Sequence, residues 1–454
     1  MKKYIVFGIL CFPFICFSQK KWTLQEAIDY ATKNNLQVID KEISLKIEEN
    51  NLQITKNEQL PSVAGNMSNQ LRFGQTQGFQ GGIGRNDNFN NDLNVSANIL
   101  LYNGGRLKKQ ALKKGYDVEV AQHNVALLKE NIALQIIQQY LSVLLQKEIV
   151  KIYESSVENA QKGYQRAKIT TEIGTTAQTT LAEAQSALAK ENQNLNQSKI
   201  EVQKALFTLS QTLQLNDYHS FDIEDWELSE ELPTNLHSLE NVLTQIQEKH
   251  PLILLAQSQI KSAEAQTEVV KTAFLPSVSL SAGLGSFYYN SLVTDITGVD
   301  NLGNIIREKA LFDQYKTNFY QQIGISVNIP IFNKGNTKLQ VEQAKISEVM
   351  AKNQLKIQEQ QLLQQIQKVF FDMESHYQTY LSAQETEKST QLALGFAQKS
   401  YEAGRTSIYD LHIARNNYVS AKSSTIQAKY NYIFSQKILD FYTKSKRGRK
   451  SPSF

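Results

Sequence analysis

Cysteine is nearly absent from this chain of 454 residues: it has 2, Cys11 and Cys16, both close to the N-terminus. The segment that holds them has the layout of a secretory leader. Lys2 and Lys3 give a charged start, and Tyr4–Phe17 is an apolar stretch too short to span a bilayer comfortably as a helix. Cys16 and Ser18 are the small residues before a cut at Gln19. A chain trimmed there keeps no cysteine, which excludes disulfides and thiol chemistry. Bulky neighbours (Leu10, Phe14, Ile15) make neither cysteine look like a lipid-attachment site. Proline is scarce too, at 7, and Gln, Asn, Ser, Lys and Ala fill long stretches. That composition suits long helices with thin apolar seams rather than a thick globular core. The formal net charge is only +4, which excludes the footprint of a nucleic-acid binder. The one dense basic run, Lys444–Lys450, reads as a frayed terminus. After Phe17 no apolar run is long enough for a membrane helix, so the expected protein is exported and does not cross a membrane as an α-helix.

Catalytic patterns are also missing. The 6 histidines (His123, His219, His237, His250, His376, His412) form no metal-ligand spacing on one helix face. The Gly-rich run Gly78–Gly84 does not open a helix after a buried strand, so it reads as a loop rather than a phosphate cradle. Asp295–Asn304 lacks the acidic spacing of a calcium loop. No nucleophile–base or paired-carboxylate set is seen. The chain is expected to be no enzyme and to need no cofactor or metal.

What is present is one unit written twice. "LPSV" occurs at Leu60–Val63 and again at Leu275–Val278, a shift of 275 − 60 = 215. "TLQEAI" at Thr23–Ile28 matches "SLENVL" at Ser238–Leu243 with the same shift. "ILLYNGGR" at Ile99–Arg106 matches "IPIFNKGN" at Ile329–Asn336, a shift of 329 − 99 = 230. "GTTAQTTLAEA" at Gly174–Ala184 matches "GRTSIYDLHIA" at Gly404–Ala414, again by 230. Each unit reads helix, strand, loop, strand, long helix, turn, return helix. The expected division is a leader at 1–18, repeats at 19–233 and 234–443, and a basic tail at 444–454, with an irregular belt over Asn216–Pro233.

The helical stretches carry a 3-4 apolar spacing. Leu181, Ala184, Leu188, Glu191, Leu195, Ser198, Val202, Ala205 and Leu209 follow it in one return helix. Leu411, Ala414, Tyr418, Ala421, Thr425, Ala428, Tyr432, Ser435 and Leu439 follow it in the other. Such seams pack against neighbouring helices, and seams this rich in Ala, Ser and Thr need several helices side by side. The long helices are expected from about Gly105 to Lys168 and from about Gly335 to Tyr401, roughly 95–100 Å each at the α-helical rise.

The residues after each LPSV alternate with the period of a strand. Val63, Met67, Leu71 and Phe73 oppose Ser62, Asn66, Ser68, Gln70 and Arg72. Phe89, Leu93, Val95, Ala97, Ile99 and Leu101 oppose Asn90, Asp92, Asn94, Ser96 and Asn98. Val278, Leu280, Ala282 and Leu284 oppose Ser277, Ser279 and Ser281; Phe319, Ile323, Ile325, Val327, Ile329 and Ile331 oppose Asn318, Gln322, Ser326 and Asn328. A soluble sheet with one wet face fits this. So does a membrane barrel, and three features favour it: Asn/Ser/Gln-rich polar faces, aromatics near strand ends, and Gly/Asn-rich loops. Four strands cannot close a barrel and open edges are not tolerated in lipid, so several chains must share one; three would supply twelve strands. Pro61 and Pro276 end the preceding helices at the junctions, because proline lacks an N–H and disfavours helix before it.

The doubled LPSV, the "LLYNGG" and "PIFNKGN" junctions with Gly104, Gly105 and Gly335, and "YEAGRTSIYDLHIA" at Tyr401–Ala414 together resemble the outer membrane efflux protein family, the TolC-like exit ducts, over about Trp22 to Tyr442. The resemblance implies mainly α structure with a membrane β part: a homotrimer with a twelve-stranded outer-membrane barrel and a periplasmic α-helical tunnel. It implies docking on a periplasmic adaptor (membrane fusion) protein that links the duct to an inner-membrane transporter, and passage of substrates without chemical change. The helical hairpin tips, at Gly174-Thr175-Thr176 and Gly404-Arg405-Thr406, would contact the adaptor. Asp410, six residues after Gly404, would face the aperture, with Tyr401 and Arg405 as gate contacts; Ile413 and Thr180 depart from a second acidic ring. A coiled-coil periplasmic or surface scaffold is the competing reading; it explains the heptads and leaves the four amphipathic strands without a use.

Overall fold

The computed structural model describes residues 21–77, 83–225, 250–293, 296–299, 305–307 and 309–444. The expected leader, the segment Ser238–Leu243, the last part of the expected belt and the tail beyond Lys444 lie outside them. In chain order the elements are α1 (Leu24–Asn34), α2 (Leu36–Asn57), β1 (Ser62–Arg72), β2 (Gln75–Gln77), β3 (Ile83–Arg85), β4 (Asn88–Tyr102), α3 (Arg106–Glu172) and α4 (Gln178–Thr212). There follow α5 (Pro251–Lys271), β5 (Ser277–Ser291), β6 (Ile296–Val299), β7 (Ile305–Arg307), α6 (Leu311–Thr317), β8 (Tyr320–Asn328), α7 (Asn336–Glu402) and α8 (Ile408–Lys444). The two long helices, α3 and α7, have 67 residues each. Two units are distinguished by their contacts, one comprising Ser44–Gln122 and Leu255–Leu355, the other Met1–Ile43, His123–Leu254 and Lys356–Phe454.

The first unit holds an antiparallel sheet in the order β1-β4-β5-β8. Its register gathers the alternating apolar residues on one face. Met67 lies opposite Leu93, Val95 opposite Leu284, Ile99 opposite Leu280, and Leu280 opposite Ile325. The other face brings Asn66 to Asn94, with an amide hydrogen bond of 3.3 Å, and Ser279 to Ser326. Nothing within the described chain covers the apolar face: Met67, Ile323 and Ile325 are 66%, 82% and 67% exposed. β1 and β8 stand at the two ends of the order, each with one unpaired edge.

Two details depart from the alternation. A bulge between Leu100 and Tyr102 takes Leu101 out of register and sets Tyr102 opposite Val278. Ile329 and Ile331 lie beyond the end of β8 at Asn328, because Pro330 has no N–H to continue a ladder. The long loop Asn290–Gln314 has a conformation that cannot be read from the sequence. It contains the β6–β7 pair and leads into α6, whose Gln314 clamps the end of β5: Tyr289 N–H donates to Gln314 Oε1 (3.0 Å) and Gln314 Nε2 donates to Tyr289 O (2.8 Å). A helix of 7 residues is too short for an apolar period to show in the sequence.

The helices of this unit meet the sheet where the doubled motifs fall. α2 ends at Asn57, a turn follows, and β1 starts immediately after Pro61; α5 ends at Lys271, a 3-10 turn covers Thr272–Phe274, and β5 starts immediately after Pro276. The helices thus stop a few residues ahead of each proline, which starts the strand.

The second unit is helical and contains the main apolar cluster. Val38, Ile136, Val143, Leu209 and Ile223 are fully buried in it, with Tyr430 and Ile433 of α8. Part of the expected belt is a fixed strap here: Trp22 forms a parallel bridge with Ile223, Tyr140 Oη sits 3.1 and 3.0 Å from the carbonyls of Trp22 and Glu224, and Lys147 Nζ reaches Asp222 at 2.8 Å and Ile223 O at 3.0 Å. The heptad seams are buried as their spacing requires, at Ala184, Glu191, Ser198 and Leu209 on α4 and at Leu411, Ala421, Thr425, Ala428 and Leu439 on α8.

Candidate functional site: hairpin tips and strand junctions

Both hairpin tips are closed by the same backbone device. At the first, Gly174 N–H bonds to Thr171 O (3.0 Å) and Thr175 N–H to Thr170 O (2.9 Å). At the second, Gly404 N–H bonds to Tyr401 O (3.0 Å) and Arg405 N–H to Ser400 O (2.9 Å). The glycines have φ of +80° and +70°, the left-handed helix ending that glycine adopts without steric cost. The side chains then differ. At the first tip Thr176 Oγ1 lies 2.9 Å from Thr170 Oγ1 and 3.0 Å from Thr171 Oγ1, and Thr175 Oγ1 donates to Thr170 O. At the second tip Ser407 and Asp410 start α8 with a reciprocal cap: Asp410 N–H donates to Ser407 Oγ (3.1 Å) and Ser407 N–H donates to Asp410 Oδ2 (3.2 Å).

Asp410 therefore serves its own helix. Its Oδ2 also accepts from Ser407 Oγ (2.7 Å) and Thr406 Oγ1 (2.9 Å). These donors, Ser407 hydroxyl first, hold the carboxyl below the usual aspartate range, so it stays ionised down to acid pH. All of these bonds fall on Oδ2, which leaves Oδ1 out of the cap. Tyr401 packs against the cluster of Ala167, Ala184 and Ile408 that joins the two hairpins, and the Arg166 guanidinium stands 5.8 Å from its ring centroid. Arg405 is placed by its backbone bond to Ser400. The structure thus brings Thr406, Ser407 and Asp410 together and sets Tyr401 with Arg166. Ser407, which a Ser-x-x-Asp pattern could have marked, and Arg166, which carries no local signal, were both passed over in the sequence.

The strand-to-helix junctions repeat with one difference. Gly104 and Gly105 have φ of +64° and +76°; at the matching place in the second copy stand Lys334 and Gly335, at +58° and +79°. A Cβ at Gly104 would lie 2.7 Å from Leu275 Cβ and Cδ1, so that position is closed to any side chain. Lys334 meets no such demand and bears the left-handed strain of an ordinary residue. Lys334→Gly should raise stability by about 0.5–1 kcal/mol, the strain relieved less the extra backbone entropy of glycine, as read by the thermal midpoint.

Compared with known proteins, residues 27–213 and 242–443 match the family model for outer membrane efflux proteins. The outer membrane efflux protein BepC of Brucella suis is 21% identical over 413 residues, covering 90% of this chain and 83% of that protein. The outer membrane protein TolC of Escherichia coli is 22% identical over 218 residues, 48% of this chain and 41% of that one. Among solved structures, the CmeC outer membrane channel of Campylobacter jejuni superposes with a TM-score of 0.72 at 21% identity, covering 94% of this chain and 87% of that one. The CusC channel gives 0.73 at 16% identity, with 93% and 91% covered.

Proposed function

Because the chain belongs to the outer membrane efflux protein family, and so to the outer membrane, we propose that it is the passive exit duct of a tripartite efflux pump or a type I secretion system. The observation that carries this is the sheet: four strands with an uncovered apolar face, a polar face of Asn and Ser, and two open edges. In lipid such edges must be paired, and copies of the same chain supply the pairing. Three copies close a barrel of three times four strands, with lipid against Met67, Val95 and Ile325 and water against Asn66, Asn94 and Ser326. A scaffold without a pore has no use for this sheet.

The helices that continue the edge strands support the same closure. α2, leading into β1, exposes Ile47 and Ile54 at 53% and 59%; α7, leaving β8, exposes Leu339, Ile346 and Met350 at 62%, 57% and 67%. Both stripes have heptad-related spacing and run toward or away from an open edge, so α2 of one copy packs on α7 of the next. The tips at Gly174-Thr175-Thr176 and Gly404-Arg405-Thr406 meet a periplasmic adaptor, and an inner-membrane transporter supplies the energy.

Three copies of Asp410 Oδ1, freed by the cap's use of Oδ2, would make the entrance cation-preferring. In planar bilayers Asp410→Ala should lower the cation-to-anion preference about two- to threefold, and the lost cap should cost about 1 kcal/mol. An unchanged selectivity together with the stability loss would leave Asp410 a cap alone.

A further inference from the structure

Behind the tips, α4 and α8 share a seam that buries polar groups without pairing them. Glu191 of α4 is 7% exposed, and its Oε2 is buried with no hydrogen-bond partner. On α8, Nε2 of His412 is likewise buried and unpartnered. Arg415 lies three residues further along α8, on the same helix face, half-buried and close enough to feel the charge of Glu191. Other heptad positions of the two helices are small or apolar and buried, at Ala184, Leu411 and Ala421. Native interiors leave few buried polar atoms unpaired, and two in one seam mark a packing that forgoes hydrogen bonds which a looser arrangement would recover with water.

We infer that Glu191, His412 and Arg415 form a proton-sensitive latch: the α4–α8 seam is packed while His412 is neutral and loosens when His412 takes up a proton. A second cation beside Arg415, on a ring nitrogen that is buried and unpartnered, is what the packed state disfavours. The groups that act on His412 are Arg415 on its own helix and Glu191 and Glu183 on α4. Burial first, then Arg415, hold His412 below its ordinary value; the two carboxylates pull the other way and are outweighed. A histidine whose value is lowered by packing binds its proton more readily once the packing opens. Packing is therefore strongest above the ordinary histidine value, about pH 6.5, and weakens as pH falls through it toward the lowered one. The seam ties together the return helices of the two hairpins. On the duct reading above, acid would favour a wider entrance.

The test is hydrogen exchange on the full chain in detergent, at about pH 7.5 and about pH 5.5, corrected for the intrinsic pH dependence of amide exchange. Opening of residues 184–198 and 411–425 should be at least about twofold more frequent at the lower pH, with the strands unaffected. His412→Asn should abolish the excess. Glu191→Gln removes a carboxylate that favours the protonated form in the packed state, so it should hold His412 lower there and enlarge the excess at about pH 5.5. Absence of the excess in the wild type, or its persistence in His412→Asn, overturns the latch, and a smaller excess in Glu191→Gln overturns the part given to Glu191. The exchange result does not depend on conduction: a protein that forms no pore at either pH would sink the duct reading and leave the latch standing.

Discussion

Val95→Lys should prevent assembly in the outer membrane, while Ser96→Lys at the next position should be tolerated. Val95 lies on the central strand β4, opposite Gly65 and Leu284 on the apolar face, and is 42% exposed. If that face meets lipid, a lysine there costs about 2–4 kcal/mol at mid-depth, and an assembly of three copies bears it three times over. Ser96 lies opposite Ala64 and Gly283 on the other face, where a lysine would enter water. The yield of folded oligomer from the outer-membrane fraction distinguishes the two. Equal tolerance of both lysines would mean that neither face meets lipid.

Ile346→Asp should dissociate the assembly without unfolding the single chain. Ile346 is 57% exposed on α7, so within one chain the aspartate stays in water. In the proposed packing of α7 on α2, each isoleucine contributes about 1.5–3 kcal/mol by burial. A buried, unpaired carboxylate in its place adds a further penalty. Helix content by circular dichroism should be retained, while native mass should fall from three chains toward one. Retention of the oligomer would place the α7 stripe outside the contact.

The contrast between Val95 and Ser96 could be drawn from the sequence because a strand has a period of two, and the register confirms which residues share a face. The alternation could not say where pairing ends. It carried Ile329 and Ile331 into the last strand although Pro330 stops the ladder, and it passed over the bulge at Leu101. The tips were legible through Gly174 and Gly404, since few other residues accept that ending. Asp410 was singled out by the family resemblance, and its immediate partners are Thr406 and Ser407 at the start of its own helix. Glu191 fell on a heptad position, which foretold burial. That its carboxylate would lack a partner depends on the rotation of α8 against α4, which a seam of Ala, Ser and Thr leaves open.

The central claim, a shared barrel that continues into a helical duct, is tested most directly by single-channel recording of the purified, detergent-extracted protein in planar bilayers. Expected are long-lived openings of uniform conductance from an oligomer whose native mass is three chains. A protein that remains water-soluble as a single chain, or that inserts and never conducts, would contradict the duct and return the helices to a scaffold.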